Sequence, residues 1–218
     1  MDNHLDTDGI RRTIQLARRH EASTGHLRRL LCAQLPHLHK IIQLPKTGAL
    51  DALLAFVDTY IDHVPEFLDA AAAITAHGEI SDCAAPMLAM ACDYFVKPRE
   101  LEGGRAGMHG LLDDAYLAHR LIEEVNDRFM AKTGIPLIPL DMTVANLIVH
   151  HLIGEPFANE LDDGVQFAVE QLFLRREHFS TPAVRAYVEH HRRNRWADER
   201  RRWPCLTDAL SIGLHLDS

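Results

Sequence analysis

"DYFVKPRELEGGRAGMHGLLDDAYLAHRLIEEV" runs from Asp93 to Val125, and its reading decides the fold class. Its opening closes an apolar helical run. Pro98, Gly103, Gly104, Gly107 and Gly110 then break any period, so the middle reads as loop. Beyond it, Leu111, Ala115, Ala118, Ile122, Val125 and then Phe129 recur by fours and threes. That spacing predicts an amphipathic helix of about 20 residues. Helix, loop, helix is therefore the local unit. No stretch of the chain carries a convincing strand period, and the expected class is all-α.

The adjacent acids Asp113 and Asp114 sit inside this helical run. At about 100° per residue, Asp113 falls near 200° from the centre of the apolar stripe, on the solvent face. Asp114 falls near 300°, on the shoulder of the stripe beside Leu121. An ionised carboxylate near a core needs partners, because unpaired burial costs several kcal/mol or neutralises the acid. If the helix opens after Gly110, Asp114 lies in the first turn, where free N–H groups and the dipole favour an anion. Asp114 is expected to be structural and Asp113 dispensable.

Outward from this stretch the pattern stays helical. Leu50, Leu53, Leu54, Val57, Ile61 and Val64 share one face. Pro65 predicts a restart, with a second short helix over 66–77 ending at Gly78. Ser81 is a candidate N-cap for a helix to about Val96. Downstream, Gly134 and Pro136 end the central helix, Asp141 caps the next, and Pro156 biases Glu155 out of the α region, so that helix stops or kinks there. A helix follows from Phe157 to about Arg176. "STPAVRAY" (180–187) is a cap-plus-proline start for an Arg-rich helix to about Arg202. The expectation is one domain of about seven to nine helices. A body over 1–178 contains a central hairpin at 80–130, and a basic helical arm over 179–218 packs on it.

Composition agrees. Of 218 residues 47% are apolar and only 6% aromatic, a mix that suits helices better than strands. Cys32, Cys83, Cys92 and Cys205 form no CxxC pair, so a zinc ribbon is unsupported. They sit in apolar helical contexts and are expected in the core. "MDNHLDTDGIRRTIQ" (1–15) does not read as a signal peptide, and no run of 18 apolar residues occurs. The expectation is a cytoplasmic protein that does not insert into membranes and keeps reduced thiols. Charge is uneven. Over 175–203 nine arginines stand against four acids, a balance of +5, and residues 204–218 carry −2. Residues 1–174 therefore hold −11 of the overall −8.

The residues Tyr94, Phe95, Pro98, Gly110, Leu112, Asp113 and Asp114 carry a resemblance. "DYFVKPREL…GLLDDAYLAHRLI" resembles the YkvA-like family, a bacterial helical domain of uncharacterised function. The likeness covers about residues 80–125. It implies a helix ending in a Tyr-Phe-x-x-Pro turn and a second helix opened by Gly-x-Leu-Asp-Asp. It implies no reaction. The apolar, proline-bearing loop usual in that family is replaced here by the polar "RELEGGRAGMHG" (99–110).

Two pairs have metal-compatible i,i+4 spacing, His119–Glu123 and His151–Glu155. His119 and Glu123 read toward solvent, whereas His151 reads inside its apolar stripe. Helical carboxylate metal sites use Glu-x-x-His pairs, and none lies on a helix face here, so no metal or other cofactor is expected. The Arg-rich segment offers Arg192, Arg193, Arg195, Trp196, Arg200, Arg201, Arg202 and Trp203 as an interaction surface. Arginine outnumbers lysine nineteen to four overall, which favours bidentate contacts to carboxylate or phosphate. The acidic body makes protein the expected partner, within the chain or across a homodimer, ahead of nucleic acid. "EGGRAGMHG" (102–110) lacks the Gly-Lys-Ser/Thr of a phosphate loop, and no serine or cysteine sits in a nucleophile motif. The expected role is a non-enzymatic regulator or adaptor acting through protein contacts. A metal-dependent helical protein and an Arg-helix nucleic-acid binder are the alternatives.

Overall fold

Ala- and Leu-rich segments punctuated by glycine and proline give, among the described residues, eight helices. They are α1 (Thr7–Thr24), α2 (His26–Leu38), α3 (Ala49–His77), α4 (Ser81–Val96), α5 (Met108–Thr133), α6 (Thr143–Ile153), α7 (Phe157–Leu174) and α8 (Pro182–Asn194). The structure is a computed structural model and describes residues 5–38, 42–96, 107–174, 179–194 and 212–214. No described helix is long and apolar enough to cross a membrane.

Several ends follow the local chemistry. Asp6 caps α1 by accepting the Gly9 N–H at 2.8 Å. Gly134 ends α5 in the left-handed region, φ 78°, its N–H donating to the Met130 carbonyl. The Thr181 hydroxyl accepts the Val184 N–H at 3.2 Å, with Pro182 as the first residue of α8. Asp141 accepts the Thr143 N–H at 3.2 Å at the start of α6. Ser81 is itself helical, and the first bonds of α4 close on the Ile80 carbonyl instead.

Helix α5 runs through the middle. It packs against α1, α2, α3, α4, α6 and α7. Consequently its buried residues occur on every side, including Leu112, Asp113, Tyr116, Leu117 and Leu121 as well as the Leu111–Phe129 stripe. Over 111–122 the helix is enclosed on nearly every side, so the face that carries exposed Asp127 and Ala131 further along is covered at Asp113. The consecutive helices α4 and α5 pack closely on each other. Side-chain ties lock the outer elements. Arg18 grips Asp58 of α3 through two bonds of 2.7 and 2.9 Å. Asn126 exchanges two hydrogen bonds with the Ile138 backbone and pins the loop after α5. Tyr187 of α8 donates to the Leu137 carbonyl at 2.7 Å.

Three expectations are corrected here. Helix α3 is continuous through Pro65, which is buried among α3's core residues. Proline removes one backbone donor, and the packing of both halves outweighs that loss. Two short strands exist, Ile42–Gln43 (β1) and Gly213–Leu214 (β2), paired antiparallel. A two-residue strand leaves no sequence period to read. Cys83 and Cys92 are buried as expected, but Cys32 is exposed. Cys205 lies outside the described residues.

Candidate functional site, a polar cleft between α5, α6 and α7

Tyr116, Arg120 and Glu123 stand at i, i+4 and i+7 on α5, so they share one face. Thr143, Asn146, Leu147 and His150 repeat the same spacing on α6, and Asp162 comes from α7. Together these eight residues line a cleft of about 230 Å³. Its centre is an arginine between two carboxylates. Arg120 Nε donates to Asp162 at 2.9 Å, and Arg120 Nη1 donates to Glu123 Oε2. The Tyr116 hydroxyl donates to Asp162 at 3.0 Å, and Asn146 Nδ2 donates to Glu123 Oε2 at 2.8 Å. Tyr60, fully buried on α3, donates to Asn146 Oδ1 at 2.6 Å. His150 Nε2 lies 3.0 Å from Asn159 Oδ1 and 3.7 Å from Asp162.

The electrostatics follow from this pairing. Burial alone lowers the Arg120 pKa, but the Asp162 hydrogen bond and the Glu123 charge outweigh it and raise it further. Burial and the Asp162 charge push the Tyr116 phenol up, so it stays a neutral donor. The two carboxylates and one guanidinium leave the cleft at a formal −1 when His150 is neutral.

Behind the cleft lies a buried histidine pair. His119 Nδ1 sits 2.9 Å from the Ala115 carbonyl, an acceptor, so this nitrogen carries the proton. In the neutral ring Nε2 is then a lone pair, and it accepts from His63 Nδ1–H at 3.1 Å. Burial holds His119 well below the usual imidazole range and lowers His63 to about 4. The His119 ring also packs against Tyr60 and Phe67, with centroids at 4.3 and 5.0 Å.

The positions expected from sequence are redistributed. Asp113 is fully buried and Asp114 only partly so, the reverse of the wheel reading. Because α5 starts at Met108, Asp114 is seven residues into the helix, beyond the free N–H groups of the first turn. Neither carboxylate is without a partner. Phe95 and Leu112 are buried, Tyr94 and Gly110 are partly so, and Pro98 lies outside the described residues. His119 is fully buried instead of edging toward solvent, while Glu123 turns into the cleft. His151 is exposed instead of lying in an apolar stripe, and Glu155 is exposed beyond the helix end at Gly154. The four metal candidates therefore do not converge. Among the described residues no group of three or more His, Cys, Asp or Glu side chains could hold a metal ion.

On α8, Arg192 donates to the Thr133 carbonyl and Arg185 to the Ser180 carbonyl at 2.8 Å. Both bond main-chain oxygen, whereas the expected intramolecular partners were acidic side chains. Arg195, Trp196, Arg200, Arg201, Arg202 and Trp203 lie outside the described residues, as does the Arg193 side chain. Arg120, Asn146 and Asp162 were not legible as site residues. The polar i, i+4, i+7 face of Tyr116, Arg120 and Glu123, crossing an apolar helix, is the signal that points to them.

A second surface stands apart from the cleft. Phe167 and Leu174 of α7 are 64% and 70% exposed and seven residues apart, so they share one face. Exposed Glu160, Asp163 and Glu170 flank them. The chain matches no family model, no curated protein and no solved structure.

Proposed function

We propose that this protein is a non-catalytic regulator or adaptor of the YkvA-like kind, working through helical contact surfaces, with a second copy as partner. The observation that carries the reading is the α7 face, where Phe167 and Leu174 stand out among acids. Large exposed apolar side chains grouped on one face favour contact with another protein. The exposed acids Glu160, Asp163 and Glu170 on α7 complement the exposed Arg185 and Arg192 on α8. A two-fold pair would set α7 of each copy against α8 of the other, so every charge contact occurs twice. The polar groups of the cleft support a binding role over catalysis, since their ionised members are bound to each other. The Cys83 thiol, pushed up by burial to about 12, also lacks nucleophile character.

Sedimentation equilibrium tests this. The expected result is a dimer that weakens with salt. The double variant Phe167→Ser/Leu174→Ser should be folded and monomeric, with a denaturation midpoint that no longer depends on protein concentration. A wild-type protein that stays monomeric at every concentration overturns the proposal.

A further inference from the structure

The bonds around Arg120 leave a specific remainder. Its guanidinium has five N–H donors. Nε serves Asp162, and Nη1 serves Glu123. The guanidinium also meets the Tyr116 hydroxyl oxygen as a third partner, which leaves two of its five N–H donors over. Glu123 receives both of its donors, Arg120 and Asn146, on Oε2. Its Oε1 has no donor among the described residues. Asn146 spends one of its two amide hydrogens on Glu123, and Thr143 adds an exposed hydroxyl. The cleft therefore offers unused donors beside an unused carboxylate oxygen. Two carboxylates hold the guanidinium in place, so little rotamer freedom remains to be lost on binding.

This arrangement discriminates by charge. A carboxylate ligand would meet the Arg120 donors but also Glu123 and Asp162 at close range. An ammonium ligand would meet the carboxylates but also the guanidinium. A neutral group carrying one acceptor and one donor side by side satisfies both remainders without either repulsion. The carboxamide has that form. Its carbonyl oxygen accepts from Arg120 and Thr143, and its N–H donates to Glu123 Oε1. Leu147, 47% exposed at the lip, gives an apolar neighbour for the rest of the ligand. At roughly 30 Å³ per water in the liquid, the 230 Å³ cleft holds one or two amide units, and its open side leaves the rest of a longer ligand outside.

We infer that the cleft between α5, α6 and α7 is a recognition site for a neutral carboxamide, docked between Arg120 and Glu123. The site does not depend on the α7 face or on self-association. A free small amide and a peptide bond share this chemistry.

The test is a titration of the full chain followed by NMR at the Leu147 methyl groups and the Arg120 Nε–H. The probes are N-methylacetamide, a blocked glycine tripeptide, and sodium acetate at matched ionic strength. Saturable shifts with either amide and none with acetate are expected. Tighter binding of the tripeptide assigns a peptide ligand, and equal binding a small free amide. Thr143→Val, at an exposed position that leaves the core alone, should weaken the amide about fivefold, the value of one hydrogen bond near 1 kcal/mol. Arg120→Lys keeps the charge, removes the planar fork and should abolish the shifts. Shifts absent with both amides, or acetate binding as well as the amides, would overturn the site. So would amide binding that both variants leave unchanged.

Discussion

His63 and His119 meet in the core through one hydrogen bond, each neutral, each with its proton placed by its neighbour's chemistry. That arrangement has a pH consequence. The ordinary imidazole value is 6.5 and the folded His63 value about 4. Between these the unfolded chain binds the proton and the folded chain does not, so stability falls as pH falls. Above 6.5 the penalty is absent, and by pH 4 it reaches roughly 3 kcal/mol from His63, at 1.36 kcal/mol per unit. His119 is shifted in the same direction and adds to it. Urea denaturation at steps from neutral pH to about pH 4 should show this decline. His63→Gln, which keeps a donor toward His119 without titrating, should flatten it, and an unaltered slope would locate the loss in other groups. Asp113 makes the second residue-scale prediction. Fully buried and partnered, it should cost about 1–3 kcal/mol when changed to alanine, through the stranded partner. Asp114→Ala should cost clearly less. Equal midpoints for the two variants would contradict the burial difference.

At the scale of elements, two glycines set how helices meet. Gly107 opens α5 at φ 69°, ψ −143°, a conformation open essentially to glycine alone. A Cβ there would also stand 2.7 Å from the His20 ring of α1. Gly107→Ala should therefore destabilise by about 1–3 kcal/mol, read as a lower denaturation midpoint. Gly78 has an ordinary φ of −79°, and its constraint is steric. A Cβ would lie 2.5 Å from the Tyr187 ring, the side chain that anchors α8 on the Leu137 carbonyl. Gly78→Ala is expected to release α8 first. Hydrogen exchange should show α8 amides losing protection while those of α5 keep theirs. Uniform loss across both helices would mean that α8 docking is inseparable from the core.

Over the whole molecule, the C-terminal residues take part in the fold. Val184, Tyr187 and Val188 of α8 are buried, and Ile212 precedes β2, which pairs with β1 between α2 and α3. Truncation after Arg176 removes all of these contacts. It should lower the denaturation midpoint and expose apolar surface, detected as dye binding. A truncated chain as stable as the full one would make the region after α7 an appendage.

Much of the element pattern was legible from local chemistry. The Leu111–Phe129 stripe, the glycine at 134, the threonine–proline start of α8 and the stop ahead of Pro156 each act within a few residues, so the sequence alone determines them. The all-α class follows from the same periods. Facing was decided only by tertiary structure. A wheel assumes one wet side along the whole helix, and the first half of α5 has none, which is why Asp113 and Asp114 exchanged places and His119 moved into the core. Pro65 read as a break because the sequence shows the missing donor and not the packing that carries α3 across it. The cleft was legible only as a polar spacing on α5. Its pairing of Arg120 with Asp162, 42 positions away in the chain, exists only once α7 lies beside α5, because a side-chain bond over that separation is made by packing and not by local propensity.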